Sequence, residues 1–154
     1  MMNAYEALLD EACDIGFEVK EKPLRFNNGR IKGNRIAIRQ DIDTTTEKAC
    51  VLAEELGHHY TSVGNIIDMD SSSNRKQERQ ARLWAYNKQI GLKGLVRAYE
   101  HGCTASHEIA EYLDVTEEAL QECIEFYRDK YGEYKTFDHY IIFFIPHLAV
   151  LKKI

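Results

Sequence analysis

Ala4, Leu8, Leu9, Ala12 and Ile15 recur at the helical period and give way at Gly16, so the pattern predicts a first helix over residues 3–15. From Phe17 to Glu21 the period changes to alternation of apolar and charged positions, which reads as a strand ended by Pro23. Asn27-Asn28-Gly29 and Gly33-Asn34 are turn signals leading into Arg30–Lys32 and Arg35–Arg39. Together these stretches predict a small antiparallel meander. Its Lys and Arg residues at alternate positions give it one wet face.

Thr44-x-x-Glu47 has the form of a capping box, and the helix it opens runs to about Thr61. Ala49, Cys50, Leu52, Ala53 and Leu56 cover much of its circumference, which implies burial by neighbours on several sides. Gly57 is unfavourable by about 1 kcal/mol against Ala in a helix interior and makes sense where another backbone packs closely. Residues 64–74 are polar and Ser-rich and predict a loop. Asn74–Ile90 predicts the next helix, stopped by Gly91, with Glu78, Ala81, Trp84, Ala85 and Lys88 along one side.

Leu92–Glu100 predicts a short helix with Gly102 as its stop. Ser106–Tyr131 reads as helix, tight turn, helix, with Thr116 capping the second member. In the tail, Tyr140–Ile145 is continuously apolar and bounded by Pro146. It predicts a buried strand rejoining the sheet, with a second strand over residues 148–151.

Length and charge narrow the function classes. A chain of 154 residues fits one domain, or one domain with a small appendage, and its net charge of −5 disfavours general nucleic-acid or anionic-membrane binding. The helix-turn-helix pattern does not reverse that expectation, because acidic residues outnumber basic ones eight to two between Thr104 and Tyr131. A recognition helix opening with Glu117 and Glu118 would repel phosphates. The segment therefore reads as a packed helical hairpin, and Glu117, Glu118 and Glu122 offer an acidic surface for a basic partner. The N-terminus lacks a basic and an apolar region, and the apolar run Tyr140–Val150 is too short to span a bilayer, so the expected location is the cytoplasm. Cys13, Cys50, Cys103 and Cys123 have no metal-knot spacing and read as small apolar side chains.

The candidate chemistry lies on the central helix. Glu54 and His58, four residues apart, project from one face with their Cβ atoms roughly 5 to 6 Å apart, and Glu55 sits about a quarter turn away. This is the arrangement of a His-Glu-x-x-His metallopeptidase helix with Glu54 in the place of the first His. Zinc accepts carboxylate oxygen at about the distance it accepts imidazole nitrogen, roughly 2.0 to 2.2 Å, so the site stays three-liganded and open. It carries more negative charge, which makes the cation a weaker Lewis acid. Alone, the five-residue pattern also fits an amphipathic helix with a solvated acidic face. A helix this apolar, however, rarely turns two adjacent carboxylates inward without purpose, and Glu78 on the following helix is placed to be a third ligand. His59, about 100° round from His58, reads as a supporting or packing residue. His139 and Tyr140 are candidate donors to a developing oxyanion.

The stretch Leu52-Ala-Glu-Glu-Leu-Gly-His-His-Tyr-Thr61, followed by Gln77-Glu-Arg-Gln-Ala-Arg-Leu-Trp-Ala85, resembles the ImmA/IrrE family of metallo-endopeptidases, from about residue 10 to the C-terminus. The resemblance implies a cytosolic zinc-dependent endopeptidase, often encoded on phages and mobile elements, whose protein substrate is a DNA-binding repressor. It implies His58 and Glu78 as metal ligands, Glu54 at the first-ligand position and Glu55 as the general base. The cofactor would be Zn2+ or another divalent cation such as manganese; no membrane and no direct nucleic-acid partner are expected. The fold expected is α+β: a mainly helical zincin-like domain with a small, mostly antiparallel sheet and a helix-turn-helix-like C-terminal pair. Its division would be a metallopeptidase-like core over 1–91 with site helices 44–62 and 74–90, helices over 92–132, and strands over 133–154 packing back on the core. The Glu54 substitution keeps open an alternative, a catalytically weak or inactive relative that regulates by binding protein.

Overall fold

The computed structural model describes residues 2–62 and 71–154, except for the side chains of residues 71–73. Two compact units are present, residues 1–85 and 86–154. In the first unit, helix α1 (Ala4–Asp14) begins at a reciprocal cap, in which Asn3 Oδ1 accepts from Glu6 N at 2.8 Å and Glu6 Oε1 accepts from Asn3 N at 3.2 Å. Gly16, at a φ of 98°, turns the chain out of the helix into β1 (Glu18–Lys22). Strands β2 (Gly29–Lys32) and β3 (Arg35–Arg39) complete a three-stranded sheet.

The order of that sheet is β1-β3-β2, with β1 parallel and β2 antiparallel to β3, so the expected antiparallel meander is corrected. Burial explains the order. Ile36 and Ile38 make β3 the most apolar of the three strands, and the central place covers both of them almost completely. Strand β1 is followed by Pro23, which has no amide hydrogen to donate and suits an edge.

Helix α2 (Thr45–Thr61) starts where Thr44 Oγ1 accepts from Glu47 N at 3.1 Å. Its Ala49, Leu52, Ala53 and Leu56 are buried against α1, β2 and β3, closing a core with Tyr5, Leu8, Phe17, Ile36 and Ile38. Each large aliphatic side chain so covered contributes roughly 1.5 to 3 kcal/mol. Helix α3 (Ser71–Gln89) starts three residues before the expected Asn74. Its opening serines belong to the helix rather than to a loop, in keeping with the preference of Ser for helix starts. The rest of the expected loop, residues 64–70, lies outside the described residues.

The second unit contains the end of α3, then α4 (Gly91–Glu100), α5 (Ser106–Leu113) and α6 (Glu117–Tyr131). Between α5 and α6 the chain turns at Asp114, at a φ of 55°, and Thr116 Oγ1 caps α6 by accepting from Ala119 N at 3.0 Å. Strands β4 (Tyr134–Phe137), β5 (Tyr140–Phe143) and β6 (Ala149–Lys152) form a second antiparallel sheet of order β4-β5-β6. The expectation that Tyr140–Ile145 rejoins the first sheet is therefore corrected. Both edges of β5 are occupied by its sequence neighbours, and its apolar run is explained by central position in a local sheet. The fold is mainly helical α+β, and among the described residues no helix is long and apolar enough to cross a membrane.

Candidate metal centre

The seam between α2 and α3 is set by a glycine. A Cβ on Gly57 would run into the backbone carbonyl of Ala81, so only glycine lets the two helices approach this closely. The helical period does the rest. Glu54 and His58 lie one turn apart on a half-buried face of α2, while Glu78, almost one turn before Ala81, reaches them from α3.

One donor atom from each of Glu54, His58 and Glu78 lies within 4.8 Å of the others, and all three side chains are half-buried. His58 Nε2 stands 3.2 Å from Glu78 Oε2. Ligands about 2.0 to 2.1 Å from a tetrahedral cation are about 3.3 Å from each other, and the His58–Glu78 separation already has that size. The donor set, one imidazole and two carboxylates, suits zinc and other borderline or hard divalent cations. With no cation between them, the two carboxylates and the imidazole share the available protons.

That competition is visible in the ionisation of the acids. Burial raises the Glu54 carboxyl to about 7, aided by the hydrogen bond it shares with Glu78 and opposed by the charge of Arg82. Glu78 is lowered, first by that same hydrogen bond and then by His58 and Arg82. The pair thus holds one proton on Glu54 beside an ionised Glu78. Glu55 is raised to about 7 by burial, with the negative charge of Glu78 adding to it. An acid poised near neutrality next to a cation-binding group has the proton affinity a general base requires.

Two contributors were not legible beforehand. Arg82, one turn beyond Glu78, places Nε 3.4 Å from Glu54 Oε1 and 4.0 Å from Glu78 Oε1, and so offsets part of the charge that Glu54 adds. Its position four residues after Glu78 was the available signal. Gly29, read as a turn residue, lies on β2 over Glu55: a Cβ there would sit 2.9 Å from Glu55 Oε1 and 2.7 Å from Val51 Cγ1. The missing side chain leaves the Glu55 carboxyl room beside the strand.

His59 is exposed and packs edge-on against Phe17 and Tyr60, with ring centroids 4.7 and 4.8 Å away, while Tyr60 stacks on Trp84 at 4.9 Å. Its ring contacts are with these aromatic neighbours, and the ligand group is made by Glu54, His58 and Glu78 without it. His139 and Tyr140 belong to the second unit. Tyr140 is buried and its hydroxyl donates to Glu100 Oε2 at 3.1 Å, while His139 is exposed with Nε2 3.6 Å from Asp138 Oδ1. These contacts lend the expected oxyanion-donor role no support.

No curated protein and no solved structure matches the chain. A family model does: the IrrE N-terminal-like domain, a peptidase family, matches residues 15–125.

Proposed function

Because the chain belongs to the IrrE N-terminal-like peptidase family, we propose that it is a zinc-dependent endopeptidase acting on a protein substrate, a DNA-binding repressor of a phage or mobile element. The observation that carries this reading is the convergence of Glu54, His58 and Glu78 within 4.8 Å of one another, with Glu55 on the next position of the same helix. His58 and the two carboxylates would hold the cation, which when bound supplies Lewis-acid polarisation of a peptide carbonyl and of the attacking water.

The remaining steps belong to the chain's own groups. Glu55, ionised above about pH 7, takes the proton from the attacking water and later delivers it to the departing amine nitrogen. Arg82 holds the Glu54 carboxylate and fixes its direction toward the ligand group. Gly29 has no side chain to displace the Glu55 carboxyl, which packs against β2 at that point.

The second reading, a weak or inactive relative that regulates by binding protein, draws on Glu54 itself, whose added negative charge lowers the acidity of the cation it helps to bind. Metal analysis of the purified protein, paired with cleavage of a repressor encoded beside it, separates the two. The peptidase reading expects one zinc per chain and cleavage, with Glu55→Gln keeping the metal and losing cleavage by at least about a hundredfold. A chain that binds no divalent cation, and cuts nothing when zinc is added, belongs to the second reading.

A further inference from the structure

We propose that the solvent face of the first sheet is a docking site for a short, extended acidic segment of a partner protein. This rests on the sheet alone and stands whether or not the peptidase reading holds. Strand alternation sends Val19, Ile31, Ile36 and Ile38 to the core and turns the other positions outward. The register then builds three outward rows across the strands. Glu18, Arg35 and Lys32 form the first; Lys20, Ala37 and Arg30 the second; Lys22 and Arg39 begin the third.

Ala37 at the middle of this grid is the only small side chain in it. Five cationic side chains, Lys20, Lys22, Arg30, Lys32 and Arg35, line a basin of about 400 Å³ that has Ala37 and Leu24 among its walls. Glu18 is the one acid on the face, and it is already engaged by Lys20 at 3.0 Å and Arg35 at 3.9 Å. Arg39 is paired with Asp41 at 3.0 Å. Lys22, Arg30 and Lys32 have no ion-pair partner among the described residues. In a chain whose net charge is −5, such a concentration of cations on one face carries a repulsive cost that a complementary anion removes.

The spacing selects the form of that anion. Outward positions repeat about every 6.8 Å along a strand and about 4.8 Å between strands. Alternate side chains of an extended peptide repeat at the same 6.8 Å, so carboxylates two residues apart meet Lys20 and Lys22, or Arg30 and Lys32, in step. A nucleic acid fits less well. The basin has no aromatic wall on which a base could stack, and a long polyanion feels the negative charge of the whole chain, whereas a short segment feels only what lies within a Debye length of about 8 to 10 Å.

The test is fluorescence anisotropy of the full chain with a labelled decapeptide of alternating Glu and Ser. A Lys-Ser decapeptide and a single-stranded oligothymidine are titrated in parallel. Saturable binding of the acidic peptide at about 50 mM salt, weakened at least about tenfold at 300 mM, is the expected result. The triple reversal Lys22→Glu, Arg30→Glu and Lys32→Glu is expected to weaken it by roughly tenfold or more, and the milder Lys22→Gln, Lys32→Gln pair by roughly threefold with unchanged thermal unfolding. Equal binding of the acidic and basic peptides overturns the proposal, as does indifference of both variants. Tighter binding of the oligothymidine assigns the face to nucleic acid instead. Self-association of the free chain that these variants abolish assigns it to a second copy; either outcome also overturns the proposal.

Discussion

The polar contacts of the second unit and those at the seam of α2 and α3 in the first differ in kind. In the second, three tyrosines and an arginine each have a matched partner. Tyr127 donates to Asn87 Oδ1 at 2.6 Å, Tyr86 to Glu122 Oε2 at 2.7 Å and Tyr140 to Glu100 Oε2 at 3.1 Å, while Arg128 caps the Phe144 carbonyl through two nitrogens at 3.1 and 3.2 Å. Each is a donor meeting an acceptor, which is how packing for stability satisfies polar atoms. The seam of α2 and α3 instead gathers Glu54, Glu55 and Glu78 in one half-buried patch and lifts two of them to about 7. Such a grouping opposes folding unless a proton or a cation completes it. The difference separates side chains kept for structure from side chains kept for a ligand.

Removing a ligand should break that contrast most strongly. His58→Ala is expected to weaken binding of zinc by more than about a hundredfold, read by competition with a chromophoric chelator, because it deletes a donor outright. The second unit has no stake in the cation, so its near-ultraviolet tyrosine signal should persist. A variant that keeps full zinc affinity would mean the ligand group lies elsewhere.

Next in size is the close approach that assembles the group. Gly57→Ala drives a methyl into the Ala81 carbonyl, and separating the helices should cost roughly 1 to 3 kcal/mol in denaturant unfolding. Because that separation also withdraws Glu78 from His58, zinc affinity should fall in the same variant. A Cβ on Gly94 would lie 3.3 Å from a flexible Leu113 methyl, so Gly94→Ala is a gentler control in the second unit.

How far all this was readable in advance follows from the range of each interaction. Helix starts at Thr44 and Thr116 and the pairing of Glu54 with His58 depend on residues three or four apart, so the pattern announces them. Gly57 was legible as a close-contact position because its helical cost demands a reason. Strand order was not, since which edge β1 chooses depends on burial of Ile36 and Ile38 by helices remote in sequence. The C-terminal strands misled for the same reason: an apolar run states that a strand is covered, not by which sheet. Gly29 and Arg82 escaped because their roles exist only once β2 and α3 are laid beside α2.

A smaller effect sharpens the other side of the comparison. Tyr127→Phe removes the 2.6 Å hydrogen bond from the buried Tyr127, only 1% exposed, to Asn87, an exposed residue whose amide oxygen can turn to water instead. It should cost about 0.5 to 1.5 kcal/mol in chemical unfolding while zinc affinity stays unchanged. Loss of metal binding in this variant would contradict the assignment of that contact to structure alone.

The dependence on pH is the most diagnostic effect, because its sign depends on what completes the acidic patch. Glu54 and Glu55 have folded values near 7 against an ordinary 4.5, so in the metal-free protein the native state binds more protons than the unfolded chain between those limits. Their contribution to stability is whole below about 4.5 and is lost as pH rises through 7. Thermal unfolding in chelator should therefore show a midpoint that declines from pH 5 to pH 8, and Glu55→Gln should flatten the decline. Saturating zinc must reverse the slope, since the cation binds the deprotonated ligands and gains affinity as protons leave. A metal-free midpoint that rises across this range would place the carboxylates in a patch already satisfied without a cation, and the contrast between the two units would lose its meaning.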